Sequence, residues 1–253
     1  MRILVTNDDG IDSPGIYALA FALRRVGTVT VVAPDRQQSA VGHALTVSSP
    51  LRATPFRRNG EMFGYAINGT PADCVKLAIS TLLPEKPDIV VSGINHGANT
   101  SLNVLYSGTV SAATEAMMMG YKAMAVSLTD FGWEADMSAA ADYAAMLAER
   151  LPGLALPHDT VLNVNVPAIP STNIKGIKAT RLSDSVWEDV YQERFDPMER
   201  PYYWLKGTYH ARGEDDSDDR ALADGWVAIT PIRYDLNNYA AINTLSVLNG
   251  LQP

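Results

Sequence analysis

The opening of the chain constrains its fold more than any other stretch. An apolar run at residues 3–5 ends in Asn7-Asp8-Asp9-Gly10, and Ser13-Pro14 follows as an N-cap and first helical position. Ile16, Leu19, Ala20 and Leu23 then recur at helical spacing up to a stop near Gly27, and residues 29–33 read as a second buried strand closed by Pro34-Asp35-Arg36. Strand, helix and strand in this order join through a crossover, and the natural product is a parallel sheet covered by helices. An α/β chain with a mostly parallel central sheet is therefore expected.

The rest of the first half keeps this rhythm with one interruption. Short strands at 45–47, 51–56 and 62–67, with turns at Ser48-Ser49-Pro50 and Asn59-Gly60, predict an antiparallel excursion. Thr70-Pro71-Ala72-Asp73 starts a helix running to about residue 83. Strands at 87–94, 123–128 and 161–166 alternate with helices from Tyr106-Ser107-Gly108-Thr109 to Gly120 and over 138–151. Beyond Pro170 the pattern shifts to strands at 202–210 and 226–232, a polar loop at 211–225 expected to be mobile, and a final helix at 240–248. With 253 residues the chain suits a single domain, a core over about 1–170 and a C-terminal extension over about 171–253.

Charge and composition exclude several function classes. A net charge of −8 without a basic run argues against duplex nucleic acid and against a membrane surface. No apolar run approaches bilayer length, the N-terminus lacks a signal-peptide core, and Cys74 stands alone, so a cytoplasmic location is expected. Phosphate can still bind an acidic protein where a metal ion and helix N-termini supply local positive potential.

Open parallel sheets bind ligands at the carboxyl ends of their strands. Three segments deliver polar groups there: Asn7 to Gly10, Asp35 to Gly42, and Ser92 to Gly97. At a strand end turning through Gly10, Asp8 and Asp9 can address one point, and a divalent cation would relieve their repulsion. Oxygen ligands favour Mg²⁺ or Mn²⁺, with Ca²⁺ also fitting. The alternative is an Asp that caps the next helix beside one that is solvated. Ser107-Gly108-Thr109 offers N–H groups, hydroxyls and the positive end of a helix dipole, an anion site unless it is an ordinary cap. His96 lies in a candidate site loop, whereas His43, His158 and His210 show no metal spacing. Asp215-Asp216-Ser217-Asp218-Asp219 resembles the start of an EF-hand loop, but Arg220 and Trp226 fall where Gly and Glu are required, so a solvated acidic loop is expected. Met117-Met118-Met119 reads as helix core or interface, and Cys74 as a buried apolar residue.

Taken together, the segments resemble the SurE (stationary-phase survival protein) family of nucleotidases. The stretches that carry the resemblance are 2–10, Ala33-Pro34-Asp35-Arg36, Gly69-Thr70-Pro71-Ala72-Asp73-Cys74-Val75, 87–99 and 106–113. The resemblance implies a Rossmann-like three-layer fold and a metal-dependent phosphatase acting on nucleoside 5′- and 3′-monophosphates, in some members also on short polyphosphate. It puts metal ligands on Asp8, Asp9, Ser39 and Asn95, with Asp8, Asp9 and Asn95 also in the chemistry. It puts the substrate side on Asn99, Ser107, Gly108 and Thr109, with Gly42 and His96 in neighbouring loops. It further implies a homodimer or homotetramer built through an exchanged C-terminal segment and an extended hairpin. The chain departs from the family pattern at Thr100-Ser101-Leu102-Asn103 and at Ala116, beside the site and not in it. Two other readings of the same pocket are an aspartyl-phosphate enzyme using Asp8 or Asp9 as nucleophile, which usually carries Asp-x-Asp, and a nucleotide sensor that binds without hydrolysis.

Overall fold

The computed structural model describes residues 1–251. Its centre is a nine-stranded sheet. In chain order the strands and helices are β1 (Arg2–Thr6), α1 (Pro14–Leu23), β2 (Thr28–Pro34), β3 (Ala53–Arg58), β4 (Glu61–Ile67) and α2 (Pro71–Leu77). β5 (Ile89–His96), α3 (Gly108–Met118), β6 (Lys122–Leu128), α4 (Ser138–Arg150) and β7 (Val161–Val166) follow. The remainder is β8 (Ile177–Ala179), β9 (Val186–Phe195), β10 (Pro201–His210), α5 (Asp218–Ala223), β11 (Val227–Ile232) and α6 (Tyr239–Leu245). The sheet order is β3-β4-β2-β1-β5-β6-β7-β11-β8. From β4 to β7 all neighbours are parallel, while β3 pairs antiparallel with β4 and β11 antiparallel with β7.

Two apolar layers sandwich this sheet, which gives the expected three-layer α/β fold. Ile3, Val5, Val91 and Val126 point to one face, against Ile16, Leu19 and Leu23 of α1 and the alanines of α4. Their neighbours Leu4, Val90 and Ala125 point to the other, against Cys74 and Val75 of α2 and Val110 and Ala113 of α3. The period of two on the strands and the helical spacing on α1 produce this partition directly. Met117 joins the second layer, but Met118 is exposed.

β1 is flanked by β2 on one side and β5 on the other, so the chain runs outward from β1 in one direction and then returns to continue in the opposite one. The crevice at such a reversal is where open sheets take ligands. The carboxyl ends of β1, β2 and β5 meet there.

Four expectations need correction. Residues 45–47 form no strand: Val47 is almost fully exposed, and the segment is instead tied to the start of α2. Thr46 donates its N–H to the Asp73 carboxylate at 3.0 Å, and Thr70 donates its hydroxyl to the Ala44 carbonyl at 2.7 Å. The helix after Thr70 is α-helical only to Leu77 and continues as a π-turn over Ala78–Leu82. The stretch 211–225 is not a loop throughout but carries α5, capped by Ser217. Asp218 is buried within the acidic run and accepts the Ser101 and Ser183 N–H groups at 3.0 and 2.9 Å, so that part is structural rather than solvated.

Two strands have no counterpart in the residue pattern, although the hairpin that β9 completes is one the family resemblance implies. β8 continues the main sheet beyond β11, and β9 pairs with β10 in a separate antiparallel hairpin along its full length, Val186 opposite His210 to Phe195 opposite Pro201. The final helix is α6 followed by a 3₁₀ turn, Ser246–Leu248. Among the described residues no helix is long and apolar enough to cross a membrane.

Candidate active site

The loop after β1 is built before any ligand arrives. Asn7 is buried and donates its amide to the Gly10 carbonyl at 3.0 Å and to the Ser13 hydroxyl at 2.9 Å. Ser13 in turn caps α1. The second loop is locked to the first: Ile11 donates to the Pro34 carbonyl at 2.9 Å and Gln38 to the Asp8 carbonyl at 2.7 Å. Asp8 and Asp9 are thereby fixed at the sheet edge, both buried.

The two carboxylates have different partners. Asp8 accepts a hydrogen bond from the Thr109 hydroxyl and faces the first turn of α3. A Cβ on Gly108 would come within 2.7 Å of the Asp8 Cβ, so only glycine lets α3 approach this closely. Asp9 accepts the His96 backbone N–H at 3.2 Å. Burial pushes the Asp8 carboxyl up to about 6, helped by the charge of Asp9 and opposed by the Thr109 hydrogen bond. Burial raises Asp9 as well, against its contacts with His96.

These groups line an open cavity of about 370 Å³ together with Ser39, Asn95, Asn99 and Ser107. Among the described residues no lysine or arginine lines it. Two buried carboxylates without a side-chain cation are electrostatically unbalanced, and a divalent ion is the group that balances them. The donor set fits a hard cation. Ser39 adds a hydroxyl, and Asn95 directs its amide nitrogen to the Gly97 carbonyl at 2.8 Å, leaving its oxygen as the free acceptor. No group of three or more His, Cys, Asp or Glu suited to a metal occurs among the described residues, so such a site would depend on these neutral oxygens.

The expected substrate side is partly in the cavity and partly behind it. Ser107 lines the cavity and caps α3, accepting the Val110 N–H at 3.1 Å. Gly108 and Thr109 sit behind it, their roles turned toward Asp8. Gly42, in the left-handed region at φ 59°, donates to the Tyr106 carbonyl at 3.0 Å and so joins the Ser39 loop to the approach of α3. His96 lines the cavity with its ring, whose Nδ1 is 2.9 Å from the Gly132 carbonyl and whose Nε2 is buried without a partner.

Asn99 is held by a network the sequence reading missed. Its N–H donates to Asn165 Oδ1 at 2.8 Å, its carbonyl accepts from Asn163 at 2.7 Å and Asn165 at 3.1 Å, and its amide donates to Ser127 at 2.9 Å. The signal was present as Asn163 and Asn165 on one face of an otherwise apolar strand. Phe131 and Trp133 were missed as well, because a Phe-Gly-Trp in a loop has no motif to mark it; both line the cavity.

Comparison with known proteins identifies the family. Residues 3–189 match the family model described as Survival protein SurE. A 5′-nucleotidase SurE of Syntrophobacter fumaroxidans is 48% identical over 250 residues, covering 98% of this chain and 100% of the relative. Another from Geobacter sulfurreducens is 50% identical over 247 residues, 97% of this chain and 92% of the relative. The crystal structure of the SurE protein from Aquifex aeolicus superposes with a TM-score of 0.83 at 39% identity, covering 98% of this chain and 99% of that one.

Proposed function

Because this chain belongs to the SurE family, we propose that it is a nucleoside-monophosphate phosphatase, a hydrolase of phosphoric monoesters, that works with one divalent ion, Mg²⁺ or Mn²⁺, held by Asp8, Asp9, Ser39 and Asn95. The observation that carries the metal reading is the buried, uncompensated pair Asp8 and Asp9. The relatives named 5′-nucleotidase support the substrate class.

When bound, the ion would supply charge stabilisation for the phosphoryl group and a water of lowered pKa. The chain's own groups do the rest. Thr109 and the His96 N–H hold the two carboxylates in fixed orientations, so little reorganisation accompanies reaction. The amino end of α3, where Ser107 lines the cavity wall, brings the positive end of the helix dipole to that side and favours an anion there. Asn99, fixed by Asn163, Asn165 and Ser127, gives the phosphate a rigid polar wall. Activity on 3′-monophosphates and short polyphosphate belongs to the same reading, since the groups named here address the phosphoryl group and not the leaving group, whether that is a sugar hydroxyl or the phosphate released from an anhydride.

The chain is also read as a homodimer or homotetramer. β9 and β10 carry Tyr191, Tyr203, Trp204 and Leu205 exposed, apolar surface suited to burial against a second copy.

A phosphomonoester panel crossed with Mg²⁺, Mn²⁺ and chelator tests the function. Release of phosphate from AMP with either metal, and none with chelator, is expected. Undiminished hydrolysis in chelator would sink the metal reading, and nucleotide binding without phosphate release would favour the sensor.

A further inference from the structure

The cavity that holds Asp8 and Asp9 is not polar throughout. The turn after β6 forms one wall, and it is aromatic. The Trp133 ring lies nearly flat on the His96 ring, with centroids 5.2 Å apart and planes at 11°. Phe131 lies against Gly97, where a Cβ would come within 2.2 Å of its ring. The turn is anchored, because the Gly132 carbonyl faces His96 Nδ1 and the Gly132 N–H donates to Asp130 at 2.7 Å. Yet Trp133 is 50% and Phe131 76% exposed, each giving surface to the cavity.

A phosphate has no use for this wall. An aromatic face offers an anion no donor, and its negative quadrupole disfavours one. What such a surface takes is a flat conjugated ring. His96 links the two halves of the cavity: its N–H holds Asp9, and its ring backs Trp133. We propose that Trp133, supported by His96 and flanked by Phe131, is a stacking subsite for the nucleobase of a nucleoside monophosphate whose phosphate lies at Asn99 and Ser107, beside the ion held by Asp8, Asp9, Ser39 and Asn95. This rests on the nucleotidase reading and adds the residues that recognise the base. Stacking accepts every base because every base has a π face, so the subsite gives affinity for nucleotides over base-free phosphates with little choice among bases.

The test compares AMP with ribose 5-phosphate, which lacks the base, on the full chain with Mn²⁺. The wild type should prefer AMP in kcat/KM. Trp133→Ala should reduce that preference about tenfold through KM, and Trp133→Phe should keep most of it. A second measurement is independent of catalysis: adenosine, which carries no phosphate, is titrated in chelator while tryptophan fluorescence is followed. The quench should vanish in Trp133→Phe and persist in Trp187→Phe, Trp187 lying in a neighbouring cavity that shares Phe131. Equal loss on both substrates in Trp133→Ala, with or without a change in oligomeric state, would overturn the proposal, as would a quench that follows Trp187. If AMP and ribose 5-phosphate are hydrolysed equally well by the wild type, the subsite falls and the phosphatase stands. If nothing is hydrolysed but the quench depends on Trp133, the phosphatase reading falls and the subsite stands.

Discussion

The sheet around β1 and the β9–β10 hairpin are both regular, but they are stabilised differently. In β1, Leu4 and Val5 are fully enclosed, one on each face of the sheet, and both neighbouring strands are parallel. The hairpin pairs along its full length, yet Val190, Tyr191, Trp204 and Leu205 all face solvent. A lone two-stranded hairpin is marginal in water, so its regularity needs a source outside itself. The difference separates two tasks. The sheet centre spends burial on holding a site rigid, and the hairpin keeps its apolar surface available.

The largest effect should come from asking the rigid region to give up its charge. Asp8→Asn is expected to lower metal-dependent kcat/KM by roughly a thousandfold or more, since the charge stabilisation at stake is several kcal/mol. Activity within a factor of ten of wild type would remove Asp8 from the metal site. The same variant carries a second expectation in chelator. The Asp8 carboxyl titrates near 6 in the folded chain against an ordinary 3.8, so its contribution to stability is full below about 3.8 and is lost as pH rises through 6. Metal-free wild type should thus lose on the order of 3 kcal/mol over that interval, and Asp8→Asn should lose less. Parallel pH–stability curves would show that Asp8 is not destabilising when charged. A steeper loss in the wild type would show that function at this site is held at a cost in stability.

The next effect contrasts the two regions directly. Leu4→Ala should cost about 2–5 kcal/mol and lower Tm by on the order of 10 °C at any protein concentration. Leu205→Ala should change the stability of the isolated chain by less than about 0.5 kcal/mol. Its loss should show instead as a weaker dependence of Tm on protein concentration and a shift in sizing chromatography. Equal, concentration-independent Tm losses in both variants would mean that the hairpin folds as part of the core and that the contrast fails.

The same division explains what could be read in the sequence. Parallel strands buried on both faces write themselves as apolar runs, and the helices between them carry caps, so β1, β2, β5, β6 and β7 fell close to their observed places. The polar loops at their ends followed once a parallel sheet was inferred, which is why Asp8, Asp9, Ser39, Asn95 and Ser107 meet in one cavity as expected. β9 was missed because Val186 to Phe195 mixes charged, apolar and aromatic residues without a period of two and has no buried face. Asp218 was misread because five acidic and polar residues in a row look solvated, whereas its carboxylate replaces a backbone partner for Ser101 and Ser183. Trp133 could not be read, since its partner His96 is brought to it by the fold alone.

The smallest effect lies within the rigid region, at the loop that carries Ser39. Glu115 is buried on α3 and accepts from His43 Nε2 at 2.9 Å and from the Lys76 ammonium. His43 directly follows Gly42, so this contact pins the end of the Ser39 loop to the helix that faces Asp8. The His43 hydrogen bond, joined by Lys76, outweighs burial and holds the Glu115 carboxyl below its ordinary 4.5. A lowered carboxyl contributes stability that is full above about 4.5 and disappears as pH falls through the folded value. Lys76 is half exposed, so its share is screened. Glu115→Gln should therefore cost only about 1 kcal/mol at pH 6, roughly 2–4 °C in Tm, and the gap from wild type should close toward pH 3. A gap that is independent of pH would assign the loss to packing at the buried position. A gap that closes on acidification assigns it to the charge that ties the Ser39 loop to α3 through His43.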